Sequence, residues 1–332
     1  MSSAFRKKSW LLMLTLSAFL LVLSACGGSK TADTPGSTTG ETKESTPAAT
    51  EESRTIQHAM GTETLKGTPQ RVVILTNEGT EALLTVGVKP VGAVQSWVGD
   101  PWYDHIKADM EGVEVVGEET QPNVELIAGL KPDLIIGNKV RHEKIYDQLK
   151  QIAPTVFSED LAGDWKINFA LYTDAVNKKA EGEKAIADFD KRVEEVKSKL
   201  GDKANTKVSI VRFTAGDVRT YMKQTFSGVL LNQLGIARPE EQDKDEFIEK
   251  LTKERIPAMD GDVMFYFTQD DPGSTEAEKA SQEWMNEPLF KSLNVAKNNE
   301  VHKVSEVVWN LAGGYKAANL LLDEISTYFE VK

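Results

Sequence analysis

At 332 residues, with 40% hydrophobic and 27% charged residues, the chain has room for two ordinary soluble domains with sizeable cores. Its formal charge is −12; without Arg6, Lys7 and Lys8 of residues 1–25, 36 basic against 51 acidic residues leave −15. That balance argues against nucleic acid as a partner and against a basic membrane-binding face.

The chain begins with a targeting pattern. Arg6-Lys7-Lys8 supply a positive region, Trp10 to Leu23 an apolar stretch, and Leu23-Ser24-Ala25-Cys26 its end. The apolar stretch falls short of the roughly 20 residues of an ordinary spanning helix, so residues 1–25 read as a signal peptide. Cys26 is the single cysteine, which excludes an intrachain disulfide. Its placement resembles the bacterial lipobox, in which the sulfur is acylated and anchors the chain to the membrane. Residues 26–53 then form the lipidated cysteine and a flexible tether, for beyond Cys26 they hold no aromatic or large aliphatic side chain that could be buried.

Residues 54–163 read as an α/β lobe with strands at 71–75, 91–94, 134–137 and 154–157 and helices between them, the alternation of parallel strands with crossover helices. Its key stretch is Asn123 to Ile136. Asn123 can cap a helix whose apolar face is Leu126, Ile127 and Leu130; Pro132 ends it, and Leu134-Ile135-Ile136 reads as a strand buried on both faces. This stretch occurs twice. In Lys253 to Phe265, Glu254 matches Glu125, Ile256 matches Ile127, Met259 matches Leu130 and Asp262 matches Asp133, with the Glu-to-Asp spacing eight in both copies. Upstream, Arg71–Leu75 is echoed by Lys207–Val211, and the helix ending near Gly87 by one ending near Gly235. Two similar α/β lobes are the simplest account.

Residues 164–204 read as a long linking helix. The stretch 165–200 has no proline and one glycine, Gly182, and places Ile186, Phe189, Val193, Val196 and Leu200 on one face. Helical throughout, its 36 residues would span ~54 Å. The second lobe, 205–332, offers strands at 207–213 and 262–268 and a terminal helix at about 311–329. Gly313-Gly314 lacks the pattern of a phosphate loop and reads as close packing.

A lipobox, a tether, two like lobes and one long linking helix resemble the substrate-binding lipoproteins of ABC importers. The likeness is to the class III group, two Rossmann-like lobes joined by one long backbone helix, which serves iron-siderophore, haem and cobalamin uptake. The blocks RVVILTNEGTEALLTVGVKPVG, NVELIAGLKPDLIIG, SIVRFTAGDVRTYMKQTFSGVLLNQLG and EVVWNLAGGYKAANLLLDEI carry it across most of residues 70–328. The overall look is of the Gram-positive branch for hydroxamate or citrate-hydroxamate siderophores.

The resemblance implies a monomeric receptor on the extracytoplasmic face of the membrane, anchored through Cys26. It would bind a ferric siderophore between its lobes and deliver it to a two-fold ABC permease. It implies no cofactor and no metal ligands from the protein, since the siderophore fills iron's shell. Glu125 and Glu254 would each meet an arginine of the permease, and two like charges at equivalent positions suit two equivalent partners. Ligand contacts are expected on the loops at strand ends. Trp97, Trp102 and Tyr103 follow one strand, Arg141 another, and Arg212 lies on a third with Arg219 and Tyr221 beyond it; Trp309 precedes the last helix. Some members of the family carry an arginine before the PN-E block, where this chain has Glu118 and Glu119, a departure that disfavours strongly anionic ligands. Haem or cobalamin remains the alternative on the same fold, with Tyr221 or His105 as an axial ligand to haem. His58, His105, His142 and His302 are unclustered, and no G-x-S-x-G or H-E-x-x-H pattern points to an enzyme.

Overall fold

The computed structural model describes residues 53–270 and 273–331; the signal segment, Cys26 and the tether up to residue 52 lie outside the described residues. In the first lobe a hairpin, β1 (Ser53–His58) and β2 (Gly61–Lys66), precedes β3 (Val72–Ile74) and α1 (Asn77–Thr85). β4 (Gly92–Ala93), β5 (Glu114–Val115), a tight ribbon of β6 (Gly117–Glu118) and β7 (Gln121–Pro122), and α2 (Val124–Gly129) follow. β8 (Leu134–Asn138), α3 (Lys139–His142), α4 (Tyr146–Lys150) and β9 (Thr155–Ser158) complete it. Its sheet has the order β5-β4-β3-β8-β9 and every pairing is parallel. The central strands are buried along their whole length, as near-continuous runs of Val, Ile and Leu require.

Two helices, α5 (Trp165–Ala175) and α6 (Lys179–Leu200), stand where the sequence predicted one. The break falls at Asn177, whose φ of 59° is left-handed, a conformation that asparagine tolerates better than most residues. The helices then pack on each other so closely that a Cβ on Gly182 would lie 2.2 Å from Thr173 Oγ1. That glycine lets α6 fold back on α5. The unbroken helix spans ~33 Å at 1.5 Å per residue rather than ~54 Å. Its predicted apolar face holds: Phe189, Val193 and Leu200 are buried, with Ile186 and Val196 against the same core.

The second lobe runs through β10 (Val208–Thr214), β11 (Val218–Tyr221), α7 (Phe226–Leu234), β12 (Ile248–Leu251) and β13 (Val263–Gln269). α8 (Glu276–Asn286), α9 (Pro288–Lys291), α10 (Asn294–Lys297), β14 (Val301–Lys303) and α11 (Tyr315–Tyr328) close the chain. Its sheet order is β12-β11-β10-β13-β14. β10, β13 and β14 are parallel, while β11 pairs antiparallel with both of its neighbours, β10 and β12.

The internal repeat has a physical basis. Asp133 accepts hydrogen bonds from the backbone N–H of Gln70 and Arg71, each 2.8 Å, and Asp262 accepts from Lys207 N–H at 2.7 Å. In each lobe this aspartate fixes the start of the neighbouring central strand, β3 or β10. Asn123 caps α2 as predicted, accepting from Glu125 and Leu126 N–H at 3.1 Å. The lobes share one hydrophobic core that includes residues from Ile56 to Val331. Across the seam, Glu81 of α1 accepts from the N–H of Ala317 in α11 at 2.9 Å.

Gly314 sits in that seam, where a Cβ would lie 2.6 Å from Glu81 Oε2 and 2.9 Å from Glu78 O. The predicted role in close packing is what the structure shows. Gly314→Ala should lower stability by ~1–3 kcal/mol through overpacking. Gly129→Ala, in a helix with open space around it, should be neutral or stabilising by up to ~1 kcal/mol. Urea unfolding of the two variants checks both.

Candidate functional site

Residues that follow β3, β8 and β14 meet residues of β10 and β11 around a cavity of about 320 Å³. This is where ligands sit in open α/β sheets, beyond the carboxyl ends of parallel strands. A wider groove of about 1040 Å³ shares Arg141, Leu161, Ala162 and Phe247 with it.

One wall belongs to the first lobe. Asn138 caps α3 by accepting from Arg141 N–H at 3.3 Å, and its amide donates to Ser158 and to Asp160 O, each 2.8 Å. Arg141 thus leaves a fixed helix start, its guanidinium 5.8 Å from the centre of the Trp97 ring. Behind it lies Glu119, buried, 3.7 Å from Arg141 Nε and accepting from both the backbone and side-chain nitrogens of Asn77 at 2.9 Å. Burial raises the Glu119 carboxyl above its ordinary range, opposed by the Asn77 hydrogen bonds and the Arg141 charge. Glu78 forms the floor. Its carboxylate accepts from Asn168 at 2.7 Å and Tyr172 at 3.2 Å, and full burial pushes it well up.

The second lobe supplies the facing wall. Arg212 on β10 lies directly opposite Arg219 on β11, a like-charge cross-strand pair that costs stability unless each is compensated. Both are. Glu306 meets Arg212 at 2.6 Å, and Asp217 grips Arg219 bidentately at 2.6 and 2.8 Å. The Arg219 fork holds the Asp217 carboxyl far below the usual carboxylate range. Burial raises Glu306, with Arg212 opposing. Arg212 also donates to the Tyr221 hydroxyl at 3.3 Å and to Gln269, yet its buried Nε has no partner among the described residues. Tyr221 is held from behind by Arg238, which donates to Tyr221 O at 2.6 Å; burial lowers Arg238 to about 10.

Five of the eight predicted contact residues, Trp97, Arg141, Arg212, Arg219 and Tyr221, therefore line one cavity. Three do not. Trp102 and Tyr103 are buried in the core, Tyr103 stacked on His105 at 5.7 Å. Trp309 is 1% exposed, packs 4.7 Å from Phe265 and donates its indole N–H to Glu324 at 2.5 Å. The cause is a π-helical turn, Val307–Leu311, which turns Asn310 and Leu311 to the cavity and leaves Trp309 in the core. Asn77, Glu78, Glu119, Phe247, Glu306 and Asn310 were not foreseen. Glu119 was marked in the sequence only as an acid ahead of the PN-E block, without a place in the cleft; Glu306 opens another block but did not stand out among 51 acids.

Glu125 and Glu254 are exposed, each at the second position of a helical turn, and neither forms an ion pair with another described residue. The Glu254 carboxyl is held below its ordinary range by the Thr252 hydrogen bond. The histidines are all engaged: His58 with Met60 and Phe157 N–H, His105 with Glu81, His142 with Asn138 and Glu119, His302 with Glu300.

Two lobes around a cleft lined by arginines and aromatic rings are the architecture of a solute-binding protein. The chain belongs to the periplasmic binding protein family, whose sequence pattern matches residues 72–306. It is 53% identical to the Bacillus subtilis "Probable siderophore-binding lipoprotein YfiY" over 93% of this chain and 94% of that one. It is 31% identical to the achromobactin-binding periplasmic protein of Dickeya dadantii, over 78% and 86%. Among solved structures, Staphylococcus aureus SirA complexed with staphyloferrin B matches with a TM-score of 0.78 and 38% identity, covering 84% of this chain and 99% of that one.

His142 ties this wall to pH. Its Nδ1 accepts from Asn138 N–H at 3.1 Å while Nε2–H donates to Glu119 O at 2.7 Å, so a second proton would face a donor. Burial lowers its pKa to about 4. The unfolded chain takes up that proton near pH 6.5, so the stability is complete above pH 6.5 and is lost as pH falls towards 4. The loss attributable to His142 is roughly 2–3 kcal/mol. Denaturant unfolding at pH 7 and pH 4.5 should show a smaller difference for His142→Gln than for the parent.

Proposed function

We propose that this protein is a lipid-anchored extracytoplasmic receptor that binds a ferric siderophore between its lobes and hands it to a two-fold ABC permease. The observation that carries the reading is the cleft itself, with Arg141 and Trp97 from one lobe facing Arg212, Arg219 and Tyr221 from the other. A ferric siderophore presents coordinating oxygens and flat chelate rings. Guanidinium forks and aromatic faces recognise both without touching the metal. The buried Nε of Arg212, without a partner among the described residues, is a donor that a ligand oxygen would satisfy. The siderophore class of the relatives supports iron as cargo, and hydroxamate or citrate-hydroxamate complexes are the proposed ligands.

Residues 1–25 are proposed as the signal peptide, Cys26 as the acylated anchor and the residues up to the first strand as its tether. Glu125 and Glu254 are proposed as the permease contacts of a monomer. Their placement supports this: exposed, ahead of the same strand-fixing aspartate in each lobe, and carrying no ion-pair partner among the described residues.

Tryptophan quenching with ferric hydroxamate, citrate-hydroxamate and catecholate complexes, haem and cobalamin should saturate at sub-micromolar concentration for a hydroxamate-type complex. Silence across the panel would sink the reading. Arg212→Ala should weaken binding by ~1.5–3 kcal/mol, the worth of a charge-assisted hydrogen bond. Glu125→Lys and Glu254→Lys should each abolish iron uptake by cells while leaving the quenching titration unchanged; lost affinity in both would remove the docking assignment.

A further inference from the structure

Each arginine of the cleft has a carboxylate of its own lobe behind it. Glu119 lies 3.7 Å from Arg141, Glu306 2.6 Å from Arg212, and Asp217 grips Arg219 bidentately. Asp217 is also shared with Lys250 at 2.9 Å and sits towards solvent. Glu119 and Glu306 are different. Their side chains are only 6% and 9% exposed, so neither is a surface charge that water screens.

The atoms around them are donors. Glu119 meets Asn77 N, Asn77 Nδ2 and Arg141; Glu306 meets Arg212 and the Asn310 amide at 3.4 Å. These donors and the adjacent guanidiniums favour the ionised form of each carboxyl and oppose the upward push of burial. An anionic ligand approaching Arg141 or Arg212 therefore meets a guanidinium already half spent, with a fixed negative charge immediately behind it. A neutral ligand still finds the N–H donors, the Trp97 face and the Tyr221 ring.

We infer that Glu119 and Glu306 are specificity-determining residues that act through Arg141 and Arg212, cancelling their charge so that the cleft selects ferric complexes of low net charge against polyanionic ones. This rests on the cleft being the ferric-complex site. It assigns discrimination by charge to two acids that line up behind the contact residues, where a chain built for anions would leave its arginines uncompensated.

The test compares the intact protein with Glu119→Gln and Glu306→Gln, titrated by fluorescence quenching with a neutral ferric tris-hydroxamate and a ferric tris-catecholate carrying three negative charges. The readout is the ratio of the two Kd values. Each variant should shift that ratio roughly tenfold towards the trianion, the direction expected when a like charge is removed from beside a bound anion. Arg141→Gln should move the ratio the opposite way, away from the trianion, and the double variant Arg141→Gln with Glu119→Gln, whose pair is again neutral, should bring it back to the parent value.

An equal change for both ligands in both variants would reduce the acids to a structural role and overturn the inference. Thermal melts accompany the titrations because Glu119 also holds the start of α1. The Glu306 carboxylate accepts only from side chains among the described residues, so Glu306→Gln decides the matter if Glu119→Gln does not fold. A parent protein that binds neither complex would overturn the reading of the cleft and this inference together; a parent that binds, with ratios unmoved, would overturn the inference alone.

Discussion

A guanidinium cannot be moved out of water alone, and the construction of this protein follows from that. Arg212 sits 8% exposed on a central strand, directly across from a second arginine. Left unpaired, either charge would cost several kcal/mol. The chain meets the cost by bringing Glu306 in from the loop after β14, Asp217 from the β10–β11 turn, and the Tyr221 hydroxyl from β11. In the first lobe Arg141 keeps much of its side chain in water, and it is the turn of the ribbon β6–β7 that carries the buried Glu119 under it. The loops that carry Glu306 and Asp217 are thus held in place by the charges they neutralise.

Much of the fold was legible because the signals that encode it are local. The Asn cap, the Lys-Pro stop and the buried apolar run read the same in the chain as in space. The doubled Glu-to-Asp spacing pointed to equivalent strands, and Asp133 and Asp262 fix β3 and β10 in the same way. What stayed hidden depends on distant partners. The break at Asn177 is enforced by the packing of Gly182 on Thr173, and no proline marks it. β4 pairs parallel with β3 while β11 pairs antiparallel with β10, a difference between the lobes that strand composition does not carry.

The site was legible to the same depth. Strand ends located Trp97, Arg141, Arg212, Arg219 and Tyr221, because topology puts strand ends at the cleft. Trp309 went astray because a single π-helical turn shifts which neighbours face the cavity, and such a turn leaves no periodic trace. Glu306 was lost in an acidic composition, and Glu119 was marked only as an acid before the PN-E block, with no sign of the arginine it would face. Their distinction is burial, a property of the folded state.

The seam at Gly314 carries a different consequence. α11 belongs to the second half of the chain, yet its first turn is pinned to a carboxylate of α1 and its residues share a core with Phe169 and Leu83. Residues from both halves of the repeat thus fill a single interior, and residues 53–331 hold together as one compact unit. The molecule shows the outline of a duplication whose copies have become obligate to each other: severed in the linker, each fragment would bare apolar surface that only its counterpart covers. Modular ancestry is written in the strand order, and its modularity has been used up in the packing.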